Sequence, residues 1–358
     1  MKKIYASLLC CLAAVMTSCT VPVEESGSLP RADASSFGTD TSTFSNIFRD
    51  MQGSSTSELH SLMVVKDGSV IYEKYDIGHT PDELHILWSA TKTFTATAVG
   101  FARQDGLLDV TDPVKKFFSE DELPDEDNVW MDQLTVHDLL IMSSGLASDK
   151  YNTVTRSGDK SFNPLKTVLF SGFKFEPGTR FSYNSMDSYL LSVIVSKVTG
   201  KKLADYLNEK LFIPLGITDF KFDECQLGYN TGGWGLFLTT ESLAKMGQFM
   251  LQKGEWNGER LLDSSWFDMA MSAQILQKTG LGYTDAELEA LRRESDWDAG
   301  YCYQMWKCKK GDTVRMDGAN GQLVFIMPEK NAVAVLTSHS RDIKALVDSF
   351  WVNVYDKL

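Results

Sequence analysis

The chain has 358 residues, of which 43% are hydrophobic and 23% charged, so it can bury the core of one large globular domain or two small ones. Its formal net charge is −13, and loss of the N-terminal Lys2 and Lys3 would make it more negative still. Such an acidic balance argues against nucleic acid as a partner.

The N-terminus has the layout of a secretory signal, with two lysines followed by an apolar run from Ile4 to Met16 that is too short to span a bilayer. Met16-Thr17-Ser18-Cys19 resembles a bacterial lipobox, with Met at the usual Leu position. We expect residues 1–18 to be a signal peptide and Cys19 to be lipidated; an ordinary cleaved signal is the alternative.

Residues 19–45 continue with many Ser, Thr, Pro and Asp and predict a flexible tether ahead of a domain over 46–358. These features together predict a protein exported from a bacterial cell and anchored to the membrane by its N-terminal lipid, facing the periplasm or the cell exterior.

Three cysteines remain beyond this N-terminal segment, Cys225, Cys302 and Cys308. An odd set without C-x-x-C spacing predicts neither a disulfide framework nor a metal site, so one bridge or three buried thiols stay open. The sequence also has no H-E-x-x-H motif and no Cys/His cluster. We therefore expect no metal and no other cofactor.

The predicted elements begin with a hairpin over 61–76, split by Lys66-Asp67-Gly68. Helical patterns follow at 89–105, 135–142, 186–199, 201–212 and 240–253. Strand-like runs return at 301–310, 313–317, 322–328 and 332–339, before a last helix over 341–357. Strands at both ends with helices between them predict an α/β (α+β) fold of two lobes, in which an antiparallel sheet from both chain ends carries an inserted helical lobe.

The spacing Ser-x-x-Lys occurs four times, at Ser89/Lys92, Ser157/Lys160, Ser171/Lys174 and Ser242/Lys245. The second and third lie in loop-like sequence, and the fourth is predicted on the exposed face of an amphipathic helix. Only Ser89/Lys92 opens a helix with little charge after an apolar tripeptide, where the lysine would be carried inward.

A lysine base beside a serine nucleophile needs a lowered pKa, because an ordinary value of about 10.4 leaves the amine protonated at pH 7. Burial and the positive end of a helix both lower the pKa of such an amine. The three-residue spacing places Lys92 on the same face as Ser89, whose N–H could bind an oxyanion. The alternative is that Ser89 only caps the helix and Lys92 reaches solvent.

Several blocks in order carry a family resemblance: WSATKTFTATAVGFARQDGLLDVTDPV, LTVHDLLIMSSGL, PGTRFSYNSMDSYLL, FIPLGI, GGWGLFLTTESLAKMGQFML and DGANGQLVFIMP. Over roughly residues 60 to 340 the chain resembles the serine β-lactamase and penicillin-binding-protein superfamily, in its class C-like branch with the esterases and 6-aminohexanoate-dimer hydrolases. The resemblance implies a two-lobed fold, a covalent acyl-serine intermediate and no metal.

Carried over residue by residue, the resemblance makes Ser89 the nucleophile and Lys92 its lysine. The Y-x-N motif of this branch falls on Tyr183-Asn184-Ser185, so Tyr183 would relay a proton and Ser185 would hold the lysine. Reading Ser182 and Asn184 as S-x-N is the alternative, and only one frame can face Ser89 if the segment is extended. A literal Y-x-N at Tyr206 lies inside a helical pattern and is set aside.

The third motif of the family, K-T-G, has a literal match at 278–280 between two helical patterns, whereas the family needs it on a strand. Strand context instead favours 316–322, where Met316 and Asp317 replace the lysine and threonine. The Ala319 N–H would then be the second oxyanion donor. Further residues with expected substrate contacts are Gly318, Asn320, Gln322 and, as a possible substrate wall, Trp234. His137 is expected to be structural.

The sequence therefore predicts a serine hydrolase that acts on a small-molecule or peptide-like amide or ester. A β-lactamase or D,D-peptidase is the first alternative, although the missing lysine at the third motif argues against recognition of a β-lactam carboxylate. A non-catalytic cell-surface binding protein of the same fold is the second alternative.

Overall fold

The computed structural model of the chain describes residues 27–52, 57–124, 128–148 and 162–358. The predicted signal peptide, Cys19 and the Ser157/Lys160 pair lie outside these ranges. The strands are β1 (Ser57–Lys66), β2 (Ser69–Tyr75), β3 (His85–Ile86), β4 (Lys221–Phe222), β5 (Leu236–Leu238), β6 (Glu255–Trp256), β7 (Glu259–Arg260), β8 (Trp306–Lys307), β9 (Val314–Gly318), β10 (Gln322–Met327) and β11 (Ala332–Ser340).

Most of the helices lie between β3 and β8 in the chain. The helices are α1 (Asn46–Gln52), α2 (Thr91–Gln104), α3 (Val129–Gln133), α4 (Val136–Leu140), α5 (Pro164–Leu169), α6 (Ser185–Thr199), α7 (Leu203–Leu207), α8 (Thr240–Leu251), α9 (Ser264–Ala270), α10 (Asp285–Glu294) and α11 (Ile343–Asn353).

A six-stranded antiparallel sheet joins the two ends of the chain in the order β2-β1-β11-β10-β9-β8. The β1–β2 hairpin turns through Asp67 and Gly68, whose φ values of 47° and 82° are those of a two-residue primed turn. β1 pairs with β11 next to it. The predicted fold class is confirmed, with an antiparallel sheet from both chain ends and helices inserted between them.

Alternate residues of β1 enter two separate cores, as the two-residue period of a strand requires. Met63 and Val65 belong to the larger core, which includes α8 and the helical lobe. Leu62 and Val64 belong to a smaller core with α1 and α11. Because both faces of the sheet are covered, β10 is buried along its whole length.

A second, three-stranded sheet positions the start of α2. Its order is β3-β5-β4, and His85 of β3 lies opposite Leu238 of β5. The chain leaves β3 at Ile86 and reaches Ser89 three residues later. This short sheet therefore holds the segment that carries the predicted nucleophile.

The segment 27–45 was expected to be a tether, but in the structure it packs on the domain. The Leu29 N–H donates to Glu241 Oε1 at 2.6 Å, and the Arg31 guanidinium lies 2.8 Å from Glu241 and 3.1 Å from Glu73. Backbone bonding of Ala32 to Val70 adds the segment to the edge at β2. Ion pairs with distant carboxylates, which composition does not reveal, therefore order this stretch.

The prediction of a strand over 301–310 is wrong apart from β8. Gln304 has a φ of 58°, and the Cys302 N–H donates to the Met305 carbonyl at 2.9 Å, so the chain turns there. The Gln304 side chain is buried and donates to carbonyls at the end of α4. A tertiary contact of a buried amide has overridden the alternating pattern.

The three cysteines in the described ranges are free and buried. Burial raises the pKa of Cys302 to about 12 and that of Cys308 to about 11, so both stay protonated thiols at neutral pH. No helix within the described residues is long and apolar enough to cross a bilayer.

The packing of α8 on the sheet generates a prediction for Gly247. A Cβ at this position would lie 2.5 Å from Val333 Cγ1 on β11. Gly247→Ala should lower the free energy of unfolding by about 1–3 kcal/mol, since overpacking outweighs the helix propensity that Ala adds. Urea unfolding of Gly247→Ala, Val333→Ala and the double variant measures this. The double variant should lose less than the two single losses combined, and strict additivity would contradict the close contact.

Candidate active site

Ser89 lies in a tight turn between β3 and α2. Trp88 has a φ of 47°, in the left-handed region that a bulky residue rarely adopts, and a short 3-10 helix spans Trp88–Ala90. Helix α2 begins at Thr91, so Lys92 stands in its first turn. Ser89 keeps partial exposure while Lys92 is only 1% exposed.

The Lys92 ammonium group reaches three oxygen atoms from three parts of the chain. Its Nζ lies 3.2 Å from Ser89 Oγ, 3.1 Å from Ser185 Oγ and 2.7 Å from the Gly233 carbonyl. Burial lowers the pKa of Lys92 from its ordinary 10.5 to about 7, and the opposing influence comes from Asp187. A neutral amine would donate to Ser185 and Gly233 and accept the proton of the Ser89 hydroxyl.

Tyr183 lies next to both Ser89 and Lys92. Its ring stacks on Trp306 with centroids 5.8 Å apart, and Lys92 Nζ lies 5.1 Å from the ring centroid. The residue is 37% exposed, yet burial around its hydroxyl raises the pKa of Tyr183 well above 10, which a hydrogen bond with Ser89 partly offsets. The phenol therefore stays protonated at neutral pH, within reach of Ser89.

The structure brings Tyr183 and Ser185 to the lysine, as the preferred frame predicts. Asn184, the centre of the alternative frame, is buried and caps α6 by accepting from the Met186 N–H at 2.9 Å. Ser185 is the first residue of α6. The segment is thus a helix start at this point, and the helix cap accounts for the asparagine.

The end of β9 forms the third side of the site. A Cβ on Gly318 would lie 2.2 Å from the Leu87 carbonyl oxygen, so the strand end touches the segment before Ser89. Ala319 follows as an exposed turn residue, and Asn320 has a φ of 62°. The Asn320 carbonyl accepts from the Ser338 hydroxyl at 2.6 Å, which anchors the turn to β11.

Two residues expected to contact substrate are placed differently. Trp234 is 8% exposed and packs in the larger core. Gln322 is 3% exposed, and its amide donates to the Ser338 carbonyl. Trp234 is packed in the core and Gln322 is hydrogen-bonded to the backbone, so each offers little surface to a substrate.

Sequence reasoning missed the part that Gly233 plays at the lysine. In the structure the Gly233 carbonyl is the nearest of the three acceptors of Lys92. A Cβ on Gly233 would lie 3.0 Å from the Ser185 carbonyl oxygen. Two consecutive glycines before a buried Trp were the available signal, since they allow the backbone to approach α6 closely.

Asp187 on α6 is a second residue that the sequence did not single out. It is fully buried, and its Oδ1 accepts from the Ser144 hydroxyl at 2.6 Å while Oδ2 has no hydrogen-bond partner within the described residues. Burial raises the pKa of this carboxyl well above its ordinary value. An acid inside an apolar helix pattern was a usable signal, because such a group is costly unless it is paired or neutral.

Asp317 places an acidic side chain at the third-motif position, and an ion pair partly neutralises its charge. It pairs with the fully buried Arg315, whose Nε lies 2.9 Å from its Oδ2. Its charge also raises the pKa of Tyr183, although burial is the larger cause. Met316 is buried in the larger core.

The remaining candidate motifs are placed outside this cluster. Lys278 lies in a turn before α10, and Tyr206 is buried on α7 with its hydroxyl on Asp105. The prediction of an exposed Ser242/Lys245 pair is wrong: Lys245 is 6% exposed and donates to the Gly216 carbonyl at 2.8 Å. His137 contacts Gln274.

Comparison with known proteins agrees with this arrangement. The Beta-lactamase family model matches residues 45–348. The chain is 24% identical over 294 residues to the 6-aminohexanoate-dimer hydrolase of Paenarthrobacter ureafaciens, covering 78% of this chain and 72% of that protein.

Solved structures share the fold at low sequence identity. The D-stereospecific amidohydrolase from Streptomyces sp. has a TM-score of 0.65 at 14% identity, with 87% of this chain and 98% of that chain covered. The octameric penicillin-binding protein homologue from Pyrococcus abyssi has a TM-score of 0.61 at 20% identity, with 87% and 76% covered. The family match extends over most of the chain, and the chain accordingly belongs to the Beta-lactamase family and is an enzyme of the serine-hydrolase type.

Proposed function

We propose that the protein hydrolyses a small amide or ester through a covalent acyl-serine intermediate on Ser89. The observation that carries the proposal is the buried Lys92, with a pKa of about 7 and its Nζ 3.2 Å from Ser89 Oγ. A base with a pKa near the working pH is suited to general-base catalysis.

In the acylation step, neutral Lys92 accepts the Ser89 proton as Oγ attacks the substrate carbonyl carbon. The N–H groups of Ser89 and Ala319 stabilise the resulting oxyanion. Tyr183, protonated at neutral pH, gives its proton to the leaving amine or alkoxide and regains one from Lys92. Ser185 and the Gly233 carbonyl hold the lysine throughout, and water then cleaves the acyl-enzyme by the same groups in reverse order.

The substrate class follows from the third-motif position. Met316 is apolar and Asp317 is acidic, so neither is the cation that would bind a substrate carboxylate. The neighbouring Arg315 is fully buried and paired with Asp317. The relative from Paenarthrobacter ureafaciens is named as a hydrolase of the 6-aminohexanoate dimer, a compound of two amino acid units rather than a β-lactam. Both points favour an open-chain amide or ester over a β-lactam.

We further propose that the protein is exported and anchored through Cys19, on the strength of the lipobox-like tetrapeptide. In a bacterium expressing the full chain, an alkyne-labelled fatty acid should label the wild type and the Cys10→Ser control, but not Cys19→Ser. Labelling of Cys19→Ser at the wild-type level would contradict lipidation at this residue.

The nucleophile assignment predicts selective labelling by a fluorophosphonate. Intact mass should show one adduct on the wild type and none on Ser89→Ala, because the reagent needs an activated serine. Lys92→Met should label at least 100-fold more slowly, yet be at least as stable at pH 7, since a buried amine is replaced by an apolar side chain of similar length.

Ser242→Ala is the matched control, because it removes the serine of another Ser-x-x-Lys pair and should label like the wild type. An adduct that persists on Ser89→Ala would refute the assignment. Stable acylation of Ser89 by a fluorescent penicillin would instead favour the β-lactamase or D,D-peptidase alternative, and a folded wild type without any adduct would favour a binding protein.

The pKa of Lys92 predicts the acid limb of the activity profile. Since the neutral amine is the base, kcat/KM for a neutral ester should rise about tenfold per pH unit below pH 7 and level off above it. A limb near pH 10 would contradict a buried neutral lysine.

A further inference from the structure

Three of the five histidines of the chain meet at one place outside the active site. His60 lies on β1, His79 in the connection after β2 and His85 on β3. The rings of His60 and His79 stack with centroids 3.9 Å apart, and those of His60 and His85 lie 5.4 Å apart. Separate segments of the chain therefore converge on a single imidazole cluster.

A carboxylate completes a set of metal-ligating atoms. Glu58 Oε1 lies 3.6 Å from His79 Nε2, and one ligand atom each from Glu58, His60 and His79 lie within 4.8 Å of one another. A tetrahedral Zn²⁺ with bonds of about 2.0–2.1 Å keeps its ligand atoms about 3.4 Å apart. Side-chain rotations that tilt the stacked rings of His60 and His79 towards a common point would bring the three atoms into one coordination sphere.

The backbone at His60 is shaped for this position. A β-bulge interrupts the pairing of β1 with β11 between Leu59 and Ser61. Leu59 is buried in the smaller core, so Glu58 and His60 share the opposite side of the strand. Bulges commonly re-aim a side chain at a site, and here the two ligating residues lie side by side.

Neighbouring groups orient the ligands as they do around bound metals. His79 Nδ1–H donates to Glu83 Oε2 at 2.7 Å, which directs Nε2 towards Glu58. A metal-bound histidine typically has its other nitrogen on a carboxylate in this way. His85 is 5% exposed, and its Nδ1 lies 3.5 Å from His60 Nδ1, so this buried ring helps to fix the position of His60.

The cluster is open to solvent at Glu58. The Glu58 side chain is 63% exposed, so an ion can enter from solvent.

The geometry points to a divalent transition-metal site, of the kind that takes Zn²⁺, formed by Glu58, His60 and His79, with Glu83 and His85 as positioning residues. Two nitrogens and one carboxylate oxygen leave a fourth position for water. The ion would connect β1 to the segment that leads into β3. Strand β3 begins at His85, four residues before Ser89. It is separate from the serine chemistry and does not rest on the proposed function.

The test is metal binding by the untagged full chain after chelator treatment. Titration calorimetry with Zn²⁺ should give one equivalent, and Co²⁺ should give the visible absorption of a four- or five-coordinate ion. Zn²⁺ should also raise the Tm of the wild type. None of these measurements depends on hydrolytic activity.

His79→Ala and the conservative Glu58→Gln should each weaken Zn²⁺ binding at least tenfold and abolish the Tm shift. His137→Ala removes a histidine elsewhere in the fold and should bind like the wild type. Because Glu58→Gln changes one exposed atom, it separates loss of a ligand from loss of folding. The inference is overturned if the wild type takes up no Zn²⁺ at millimolar concentration, or if His79→Ala and Glu58→Gln bind it as tightly as the wild type.

Discussion

The burial of the Lys92 amine is the constraint on which the rest of the site depends. Lowering its pKa from 10.5 to about 7 corresponds to about 5 kcal/mol of differential interaction between its two protonation states. Burial disfavours the charged amine, while the hydrogen bonds that it donates to Ser185 and Gly233 keep the buried group satisfied. The amine is thereby poised as a base next to Ser89.

The architecture supplies the rigidity that this arrangement needs. Helix α2 carries Lys92, α6 carries Ser185, and the segment before β5 carries Gly233, so three elements must be held in register. The antiparallel sheet, covered on both faces, provides the frame, and the approach of Gly318 to the Leu87 carbonyl joins that frame to the nucleophile segment. Trp88 is one of the non-glycine residues with a positive φ, and it places backbone strain directly before the nucleophile.

Much of this was accessible from the sequence because it depends on local patterns. The hairpin at Asp67-Gly68, helices α2, α6 and α8, and the late strands follow from periodicity and turn residues. The low charge around Lys92 singled out Ser89 and Lys92, whereas Tyr183 and Ser185 were implied by the family resemblance. Tyr183 and Ser185 could be chosen over Ser182 and Asn184 because they match the position of the Y-x-N motif in this branch of the family.

The rest depends on contacts between distant residues, which a pattern does not contain. The 301–310 run reads as a strand, but Gln304 reaches the end of α4 and turns the chain. Arg31 orders a polar segment through Glu241, and Lys245 is buried against a carbonyl rather than exposed. His60 and His79 lie 19 positions apart without a metal-motif spacing, and only the fold stacks them.

A direct titration of Lys92 tests the central claim. In protein labelled with ¹³C at the lysine Cε, the resonance missing from Lys92→Met identifies this side chain, and its chemical shift can be followed with pH. A midpoint near pH 7 is the predicted result, since burial sets the pKa. A midpoint near the ordinary lysine value of about 10.4 would contradict a neutral lysine base and, with it, the activation of Ser89.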